Sequence, residues 1–319
     1  MTHPDSKFEP FSLKLSNNAT ITGIKHIPPP SANPPPFRPL MVGIHGGTCT
    51  AHNFDVDSKH TASLASSALE IPFVAFNRLN YKDSSSFLPV PEDTTYRQLE
   101  GKWNHGFVFP ALWEAFGISN GCTGLVAICH SMAVPGSIVA AALYAQDPAP
   151  KYPLAGLIMS GWGTTRHLRA GVNPPPETPS PGPQIRFPPE IKQVLMLSEP
   201  EFDCYDPGVV KQLAVQDTYM LLGEVVDLNA YWFKYWRQYS DAVKVPIFYA
   251  MGEHDWLWVA TKETVQEFVD CFPNSERVDG NLVGGAPHAL EWWWGSRGWY
   301  ARCFGWGSEV CAGLAFRNK

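Results

Sequence analysis

Short, fully apolar runs recur along the chain, separated by longer stretches in which apolar residues have helical spacing. An apolar run of roughly four to eight residues without polar alternation is typical of a strand buried on both faces of a parallel sheet. Strands and helices therefore alternate, which predicts an α/β fold with a mostly parallel central sheet and helices on both faces. The predicted strands cover residues 40–44, 72–77, 125–130, 154–160 and 245–251, and the predicted helices cover residues 58–69, 93–116 (interrupted near Gly106 and Pro110), 134–144 and 260–272.

The two ends of the sheet have their own patterns. Residues 11–27 alternate apolar and polar positions around Asn17 and Asn18, which predicts a hairpin that turns at the asparagines. The proline-rich residues 28–39 predict an extended connector, which we prefer to a proline-ligand motif because predicted strands flank it. Residues 277–283 predict a final edge strand, and the tryptophan-rich remainder of the chain predicts helix.

The alternation stops over residues 163–244. This segment shows no clear strand pattern and contains a proline-dense loop, 174–189, and several helical patterns. We therefore predict a helical cap with a Pro-rich loop, inserted into a core formed by residues 1–162 and 245–319. Aromatic residues of the run 231–236 have helical spacing, which favours core packing over pocket lining.

Composition narrows the function classes. The 319-residue chain is long enough for a large core that needs neither a disulfide nor a metal. A net charge of −6 argues against nucleic acid or an anionic membrane surface as a partner. No apolar run reaches the roughly 18 residues of a membrane span, and the polar start does not resemble a secretory signal. Seven cysteines without a CxxC pair favour reduced thiols, so we expect a cytoplasmic protein.

The stretch around Ser131 carries the most chemical information. An apolar strand pattern ends one residue before it, and an alanine-rich helical pattern follows without a loop. Small residues, Cys129 and Ala133, flank the serine in a relaxed form of the Gly-x-Ser-x-Gly elbow, which holds a nucleophile in a strained, exposed pose. An ordinary helix cap is the alternative interpretation. The free N–H groups at the helix start, that of Met132 first, would face charge that develops beside Ser131.

A second candidate element follows the predicted strand 40–44. The chain there reads His45, Gly46, Gly47 and Thr48. A phosphate-binding loop is the rival interpretation, but neither GxGxxG nor GxxxxGK[ST] is present. A strand followed by glycines suits close approach of the backbone to a ligand, with the N–H of Gly47 as an oxyanion donor. We expect His45 to shape the turn.

Two further polar residues extend this set. Ligands bind at the carboxyl ends of strands in open parallel sheets; Asp255 follows the predicted strand 245–251, and His288 follows the last predicted strand. A serine nucleophile needs an imidazole to take its proton, and the imidazole needs a carboxylate to fix its tautomer. His288 is the only histidine after Asp255, so the order Ser, Asp, His is completed in one way. Glu253 is the alternative carboxylate, and we prefer Asp255.

With these motifs the sequence resembles the α/β-hydrolase superfamily from about residue 40 onward. The matching pieces are the strand with its His-Gly turn, the elbow, the Gly-Glu-His-Asp segment and the Ala-Pro-His loop. The resemblance implies Ser131 as nucleophile, His288 as general acid and base, and Asp255 as its orienting carboxylate. It also implies an oxyanion hole formed by the backbone N–H groups of Gly47 and Met132. The residues that flank the serine depart from the family's usual glycines.

Other candidate groups rank lower. Cys129 is expected within the strand, short of the exposed turn, and Ser160 lacks a following helix. We expect His130 to be structural and His254 to be exposed. Neither HExxH nor a tight His/Cys cluster is present, so the sequence predicts no metal and no cofactor.

A Ser-His-Asp site with an oxyanion hole performs acyl transfer through a covalent acyl-enzyme. Trp162 and Trp256 follow strand ends and the predicted cap is aromatic, so we expect an apolar ester, thioester or lactone as substrate. The chain is similar to hydrolases of fungal secondary metabolism, which implies a polyketide-like acyl group; an acyl-carrier protein or a second copy of the chain would be the partner. Lactonisation, transacylation, cyclisation or lyase chemistry on the same residues, and a ligand-binding pseudoenzyme, are the alternatives.

Overall fold

The protein is built around one eight-stranded sheet. The computed structural model describes residues 3–29, 31, 34, 36–167 and 184–317. The strands of this part of the chain are β1 Glu9–Lys14, β2 Thr20–His26, β3 Pro39–Ile44, β4 Phe73–Phe76, β5 Gly124–His130, β6 Leu154–Ser160, β7 Gln184–Ile185, β8 Met220–Leu221, β9 Ile247–His254 and β10 Val278–Pro287.

Helices connect and cover these strands. No helix among the described residues is both long and apolar enough to cross a membrane. The described α-helices are α1 Ser63–Leu69, α2 Tyr96–Trp103, α3 Phe109–Leu112, α4 Val134–Gln146, α5 Pro189–Leu197, α6 Val210–Val215, α7 Leu222–Val226, α8 Phe233–Tyr235, α9 Arg237–Ser240, α10 Lys262–Val269 and α11 Ser296–Arg317. Shorter 3-10 segments cover Ala51–Phe54, Ile118–Asn120, Ser131–Ala133, Pro200–Phe202, Pro207–Val209 and Leu290–Trp292, and π-helical segments cover Asn104–Val108, Trp113–Gly117 and Asp227–Trp232.

The sheet has the strand order β1-β2-β4-β3-β5-β6-β9-β10. The strands β1 and β2 form an antiparallel hairpin, and β2 also pairs antiparallel with β4. The remaining pairings in this order are parallel: β4 with β3, β3 with β5, β5 with β6, β6 with β9 and β9 with β10. The predicted hairpin and the mostly parallel sheet are confirmed. Parallel strands bring their carboxyl ends to one edge, so the loops after β3, β5, β6, β9 and β10 gather there.

Both faces of the sheet are covered, as β5 shows. Leu125 and Ala127 belong to the core that also contains side chains of α2, α3, α4 and α10. Val126 and Ile128 belong to the core that also contains side chains of α11. All four are completely buried, because successive side chains of a strand point to opposite faces and each face is packed against helices. This double burial explains the uniform apolar runs.

The helix predicted over residues 93–116 differs in its details. It begins at Tyr96, because the Thr95 side chain caps it. Near Gly106 the α-helix gives way to a π-helical segment, as the predicted interruption implies, whereas at Pro110 the chain is again α-helical. Pro110 lies in the first turn of α3, where a missing N–H is tolerated.

The described residues 184–244, between β6 and β9, hold α5 to α9 and a small second sheet. In that sheet β7 pairs antiparallel with β8, so the expectation that residues 163–244 contain no strand is wrong. Each of these strands is only two residues long, which leaves no local alternation to detect. Residues 174–183 of the proline-dense loop lie outside the described residues.

Candidate active site

Ser131 lies at the junction of β5 and α4. The strand is buried along its whole length, and the 3-10 turn that starts at Ser131 leads directly into the helix. Ser131 has a φ of 52°, in the left-handed region that is costly for residues other than glycine. The serine thus occupies a strained strand-to-helix turn of the kind that the elbow motif predicts. The flanking Cys129 and Ala133 are buried and small enough for this turn, although neither is glycine.

A continuous hydrogen-bonded chain joins Ser131, His288 and Asp255. The Ser131 hydroxyl oxygen lies 2.9 Å from Nε2 of His288, and Nδ1 of His288 lies 2.7 Å from Oδ2 of Asp255. A carboxylate can only accept, so Nδ1 carries the proton and Nε2 is free to accept from the serine. All three side chains are buried, and the aspartate and histidine follow β9 and β10 directly.

The Asp255 carboxylate is itself held in place. Its Oδ1 accepts hydrogen bonds from the backbone N–H groups of Leu257 and Trp258, at 2.8 and 3.1 Å. The other oxygen is thereby directed at His288. A carboxylate fixed in this way can set the imidazole tautomer and stabilise an imidazolium.

The loop after β3 lies against the elbow. A Cβ added to Gly46 would lie 3.1 Å from Cβ of Ser131, and one added to Gly47 would lie 3.1 Å from Cγ of Met132. Gly47 and Met132 line the same cavity as Ser131 and His288. Two backbone segments therefore converge beside the serine, which is the arrangement that an oxyanion hole of two N–H groups needs.

Solved structures resemble the whole chain, whereas no family model and no curated relative matches it. A thermophilic esterase superposes with a TM-score of 0.53 at 15% identity, over 95% of this chain and 98% of that one. The thioesterase domain from the curacin biosynthetic pathway gives 0.53 at 15% identity, over 93% and 99%. An epoxide hydrolase from Vigna radiata gives 0.58 at 13% identity, over 96% and 100%. The chain has the α/β-hydrolase fold. The predicted fold is confirmed; at these identities the reaction is a separate question.

In this α/β-hydrolase fold, the groups that compete for the catalytic roles lie elsewhere. Glu253 is exposed and accepts the backbone N–H of Gly285 at 2.8 Å, away from the His288 ring. Burial raises the pKa of the Cys129 thiol to about 12, and the side chain lies within β5. Ser160 is buried, with its hydroxyl 3.1 Å from Nδ1 of His130.

Two histidines near the site, His254 and His45, are held by contacts outside the Ser131–His288–Asp255 chain. His254, predicted to be exposed, is half-buried because its ring stacks on Phe202 with centroids 4.3 Å apart. His45 accepts the Arg78 N–H at Nε2, at 3.0 Å, and its Nδ1 donates to the Gly46 carbonyl at 2.8 Å. Burial and the Arg78 guanidinium lower the pKa of His45 well below its ordinary value. Over the described residues, no group of three or more His, Cys, Asp and Glu side chains could hold a metal ion.

The α/β-hydrolase fold holds a cavity of about 340 Å³ beside Ser131. Trp162 and Trp256, the predicted substrate-binding residues, both line it. The aromatic run 231–236 does not line it; Trp232 is buried in the core, as the helical spacing favoured. Much of the remaining wall comes from apolar side chains between β6 and β9: Phe187, Ile191, Leu195, Met196, Met220, Val225 and Leu228.

Lys192 of α5 connects the segment between β6 and β9, residues 184–244, to the loop after β3. Its Nζ donates to the Thr48 carbonyl at 2.7 Å and pairs with Asp217 at 2.6 Å. The N–H of Thr218 donates to the same carbonyl at 3.1 Å. Thr48 has a φ of 53°, so these bonds fix a strained residue next to Gly47. Sequence analysis missed Lys192, because a lysine 144 positions from its partner has no local signature.

A second polar layer lies behind His288. The His130 ring packs against it with centroids 4.9 Å apart, and Nδ1 of His130 lies 3.7 Å from Oε2 of Glu291. Burial, with the neighbouring His288 and His45, lowers the pKa of His130 well below its ordinary value. Burial raises the pKa of Glu291 to about 7. The expected structural role of His130 stays a prediction, and sequence analysis did not single out Glu291.

A buried charge cluster also joins the inserted segment to the core. Glu224 of α7 accepts from Arg78 at 2.6 Å and from Arg97 at 3.2 Å. Glu100 accepts from the same two arginines at 2.7 and 2.9 Å, and the Tyr81 hydroxyl donates to Glu224 at 2.7 Å. Burial raises the pKa of Glu224, but the two guanidiniums outweigh it and lower the pKa below its ordinary value. Two positive and two negative side chains thus share one buried site.

Proposed function

We propose that the protein is a serine hydrolase that cleaves an ester, thioester or lactone of an apolar small molecule through an acyl-enzyme on Ser131. The observation that carries this proposal is the buried chain from Ser131 through His288 to Asp255, which opens onto an apolar cavity. An ordinary helix cap would need neither the imidazole nor the carboxylate behind it.

In the proposed mechanism the Ser131 oxygen attacks the substrate carbonyl carbon while its proton passes to Nε2 of His288. The N–H groups of Gly47 and Met132 stabilise the negative charge on the carbonyl oxygen. The C–O or C–S bond to the leaving group breaks, and the His288 imidazolium gives that group its proton. Water, deprotonated by the same imidazole, then attacks the acyl-enzyme and releases the acid and the free serine. Asp255 stabilises the imidazolium in both steps.

The cavity supports an apolar acyl group. Its volume of about 340 Å³ is at the small end of the range for small-molecule sites. Trp162, Trp256 and the apolar residues of the inserted segment provide a wall suited to a ring or a long chain. We propose that residues 163–244 act as a cap over this cavity. An esterase and a thioesterase domain among the fold neighbours agree with the proposed bond type.

The same residues would support a second candidate function. In it, a hydroxyl or carbon nucleophile of the substrate itself attacks the acyl-enzyme in place of water. The burial of Ser131, which is only 7% exposed, favours it by limiting the access of water. Analysis of the released product for acid or ring distinguishes the two.

We infer a reducing compartment such as the cytoplasm, because all seven cysteines are buried and none is in a disulfide.

Covalent labelling tests the proposal. The purified protein is incubated with a fluorophosphonate and, separately, with a panel of acyl p-nitrophenyl esters and thioesters, and the intact mass is measured. We expect an adduct on Ser131 that is absent in Ser131→Ala and retained in Ser137→Ala, which removes a buried hydroxyl from α4. Asp255→Asn should slow labelling by about 10³-fold or more, because the wrong imidazole tautomer faces the serine. Wild-type protein that stays unlabelled would refute the serine hydrolase.

A further inference from the structure

Arg166 is a wall residue of the cavity that the proposed mechanism does not use. Its backbone is tied to the loop that follows Asp255. Arg166 forms an antiparallel bridge with Trp258, and the Val259 N–H donates to the Thr165 carbonyl at 2.9 Å. The same Asp255 carboxylate accepts the Trp258 N–H. The position of Arg166 is therefore set by the segment that carries the catalytic carboxylate.

The guanidinium of Arg166 has more N–H groups than its hydrogen bonds within the described residues use. Its Nη1 donates to Oδ1 of Asn229 and its Nη2 to the Leu228 carbonyl. Those bonds use two of the five N–H groups of a guanidinium. Three buried donor atoms of these wall residues have no acceptor among the described residues: Nε of Arg166, Nδ2 of Asn229 and Nε1 of Trp258. These three atoms are almost completely inaccessible, so the N–H groups left for a ligand are the second ones on Nη1 and Nη2 of Arg166.

Arg166 has no ion pair with a carboxylate of the described residues, whereas the buried Arg78 and Arg97 share two glutamates. Its guanidinium lies 5.7 Å from the ring centroids of both Phe233 and Trp258. Burial lowers the pKa of Arg166 from its ordinary value. The aromatic rings attract the guanidinium only weakly. An anion bound in the cavity would therefore interact with Arg166 more strongly than the rings do.

We propose that this cavity binds substrates carrying a carboxylate separate from the carbonyl that Ser131 attacks, with the carboxylate held by Arg166. A carboxylate offers the planar pair of oxygens that a guanidinium fork matches. The substrate would then be an apolar acyl compound with one acidic end. The identity of the attacked carbonyl rests on the proposed function, whereas binding of the carboxylate does not.

Turnover of matched esters tests the specificity. The pair is p-nitrophenyl hydrogen suberate, which has a free carboxylate, and its methyl ester, which is neutral. We expect wild-type kcat/KM to favour the carboxylate by about tenfold to a hundredfold, the usual worth of a charged hydrogen bond in a site. Arg166→Gln should lose the preference, measured as the ratio of kcat/KM for the two esters, and Arg166→Lys should retain part of it. Arg237→Gln, at an exposed ion pair on α9, is the control and should keep the full preference.

A binding measurement separates this inference from catalysis. In the Ser131→Ala background, isothermal titration calorimetry compares 2-naphthoate with 2-naphthamide, which have the same ring system. We expect the naphthoate to bind at least tenfold more tightly, and Arg166→Gln to abolish the difference. Equal binding of the two ligands, or a preference that survives Arg166→Gln, would overturn the carboxylate site. Arg166-dependent naphthoate binding without any Ser131 adduct would keep the site and refute the hydrolase.

Discussion

Gly161 shows how a single residue can decide the geometry of this site. It follows β6 with a φ of 61°, a conformation that favours glycine. A Cβ at this position would lie 2.8 Å from Cε1 of His130 and 2.8 Å from Cε1 of His288. Real contacts of this kind do not occur, so any side chain here would displace one of the two imidazoles. Sequence analysis passed over Gly161, because a glycine after a strand is common and the residues it touches are distant in the chain.

Replacing Gly161 with alanine should therefore impair catalysis through His288. Gly285→Ala is a matched control, because Gly285 has a φ of 66° but nothing within 4 Å of the added Cβ. We expect each variant to lose about 1–2 kcal/mol of stability from backbone strain. Only Gly161→Ala should slow fluorophosphonate labelling of Ser131, by more than about tenfold, in stopped-time labelling assays. Equal labelling rates in the two variants would mean that the close approach to the imidazoles has no catalytic consequence.

At the scale of elements, the segment between β6 and β9 is joined to the core at the site itself. Lys192 of α5 and Thr218 before β8 both donate to the Thr48 carbonyl. The charge cluster adds a second connection through Glu224 of α7. The inserted elements thus help to hold the loop that carries the Gly47 N–H. The broken strand-helix rhythm predicts an insertion over residues 163–244, but it does not predict these attachment points.

Lys192 is therefore a positioning residue for the proposed oxyanion hole. Removing its charge and donor in Lys192→Met should lower kcat for a good ester by about tenfold to a hundredfold, less than the loss of an oxyanion donor itself. KM should change by less than about threefold if the apolar binding surface is preserved. Arg186→Met is the control, because Arg186 pairs with the same Asp217 but makes no bond to Thr48. A drop in kcat of equal size in both variants would show that only the Asp217 ion pair matters.

At the scale of the whole molecule, ionisable side chains are buried beside the apolar cores. Glu291 is completely buried; its Oε1 accepts from the Trp299 indole at 3.2 Å, and its Oε2 has no hydrogen-bond partner among the described residues. Burial raises its pKa from 4.5 to about 7. The folded state therefore holds a proton that the unfolded state releases at lower pH, which links overall stability to pH.

The raised pKa of Glu291 predicts that the protein becomes less stable as the pH rises. The contribution of Glu291 to stability is fully present below about pH 4.5 and is lost as the pH rises through about 7. The loss is on the order of 3 kcal/mol. Glu291→Gln cannot ionise, so the difference in unfolding free energy between pH 5 and pH 8 should shrink relative to wild type in urea titrations. Glu309→Gln, at an exposed ion pair, should leave it unchanged. Parallel pH profiles for wild type and Glu291→Gln would contradict the prediction.

The sequence by itself determined the fold class and the identity of the candidate triad. Apolar runs such as residues 125–130 report burial on both faces of a sheet, since that burial is repeated at every residue of the strand. Ser131, Asp255 and His288 were found because each follows a predicted strand end, and parallel strands bring their ends to one edge.

Only the tertiary structure decided which groups surround that triad. Gly161, Arg166, Lys192 and Glu291 act through partners far away in the chain, and no periodicity or short motif records such a pairing. The pairing of β7 with β8 also has no signature in the sequence, because each strand has only two residues. Local sequence reports the solvent exposure and backbone preference of a residue, whereas the contacts that shift a pKa, fix a loop or place a guanidinium in a cavity wall exist only once distant segments are folded together.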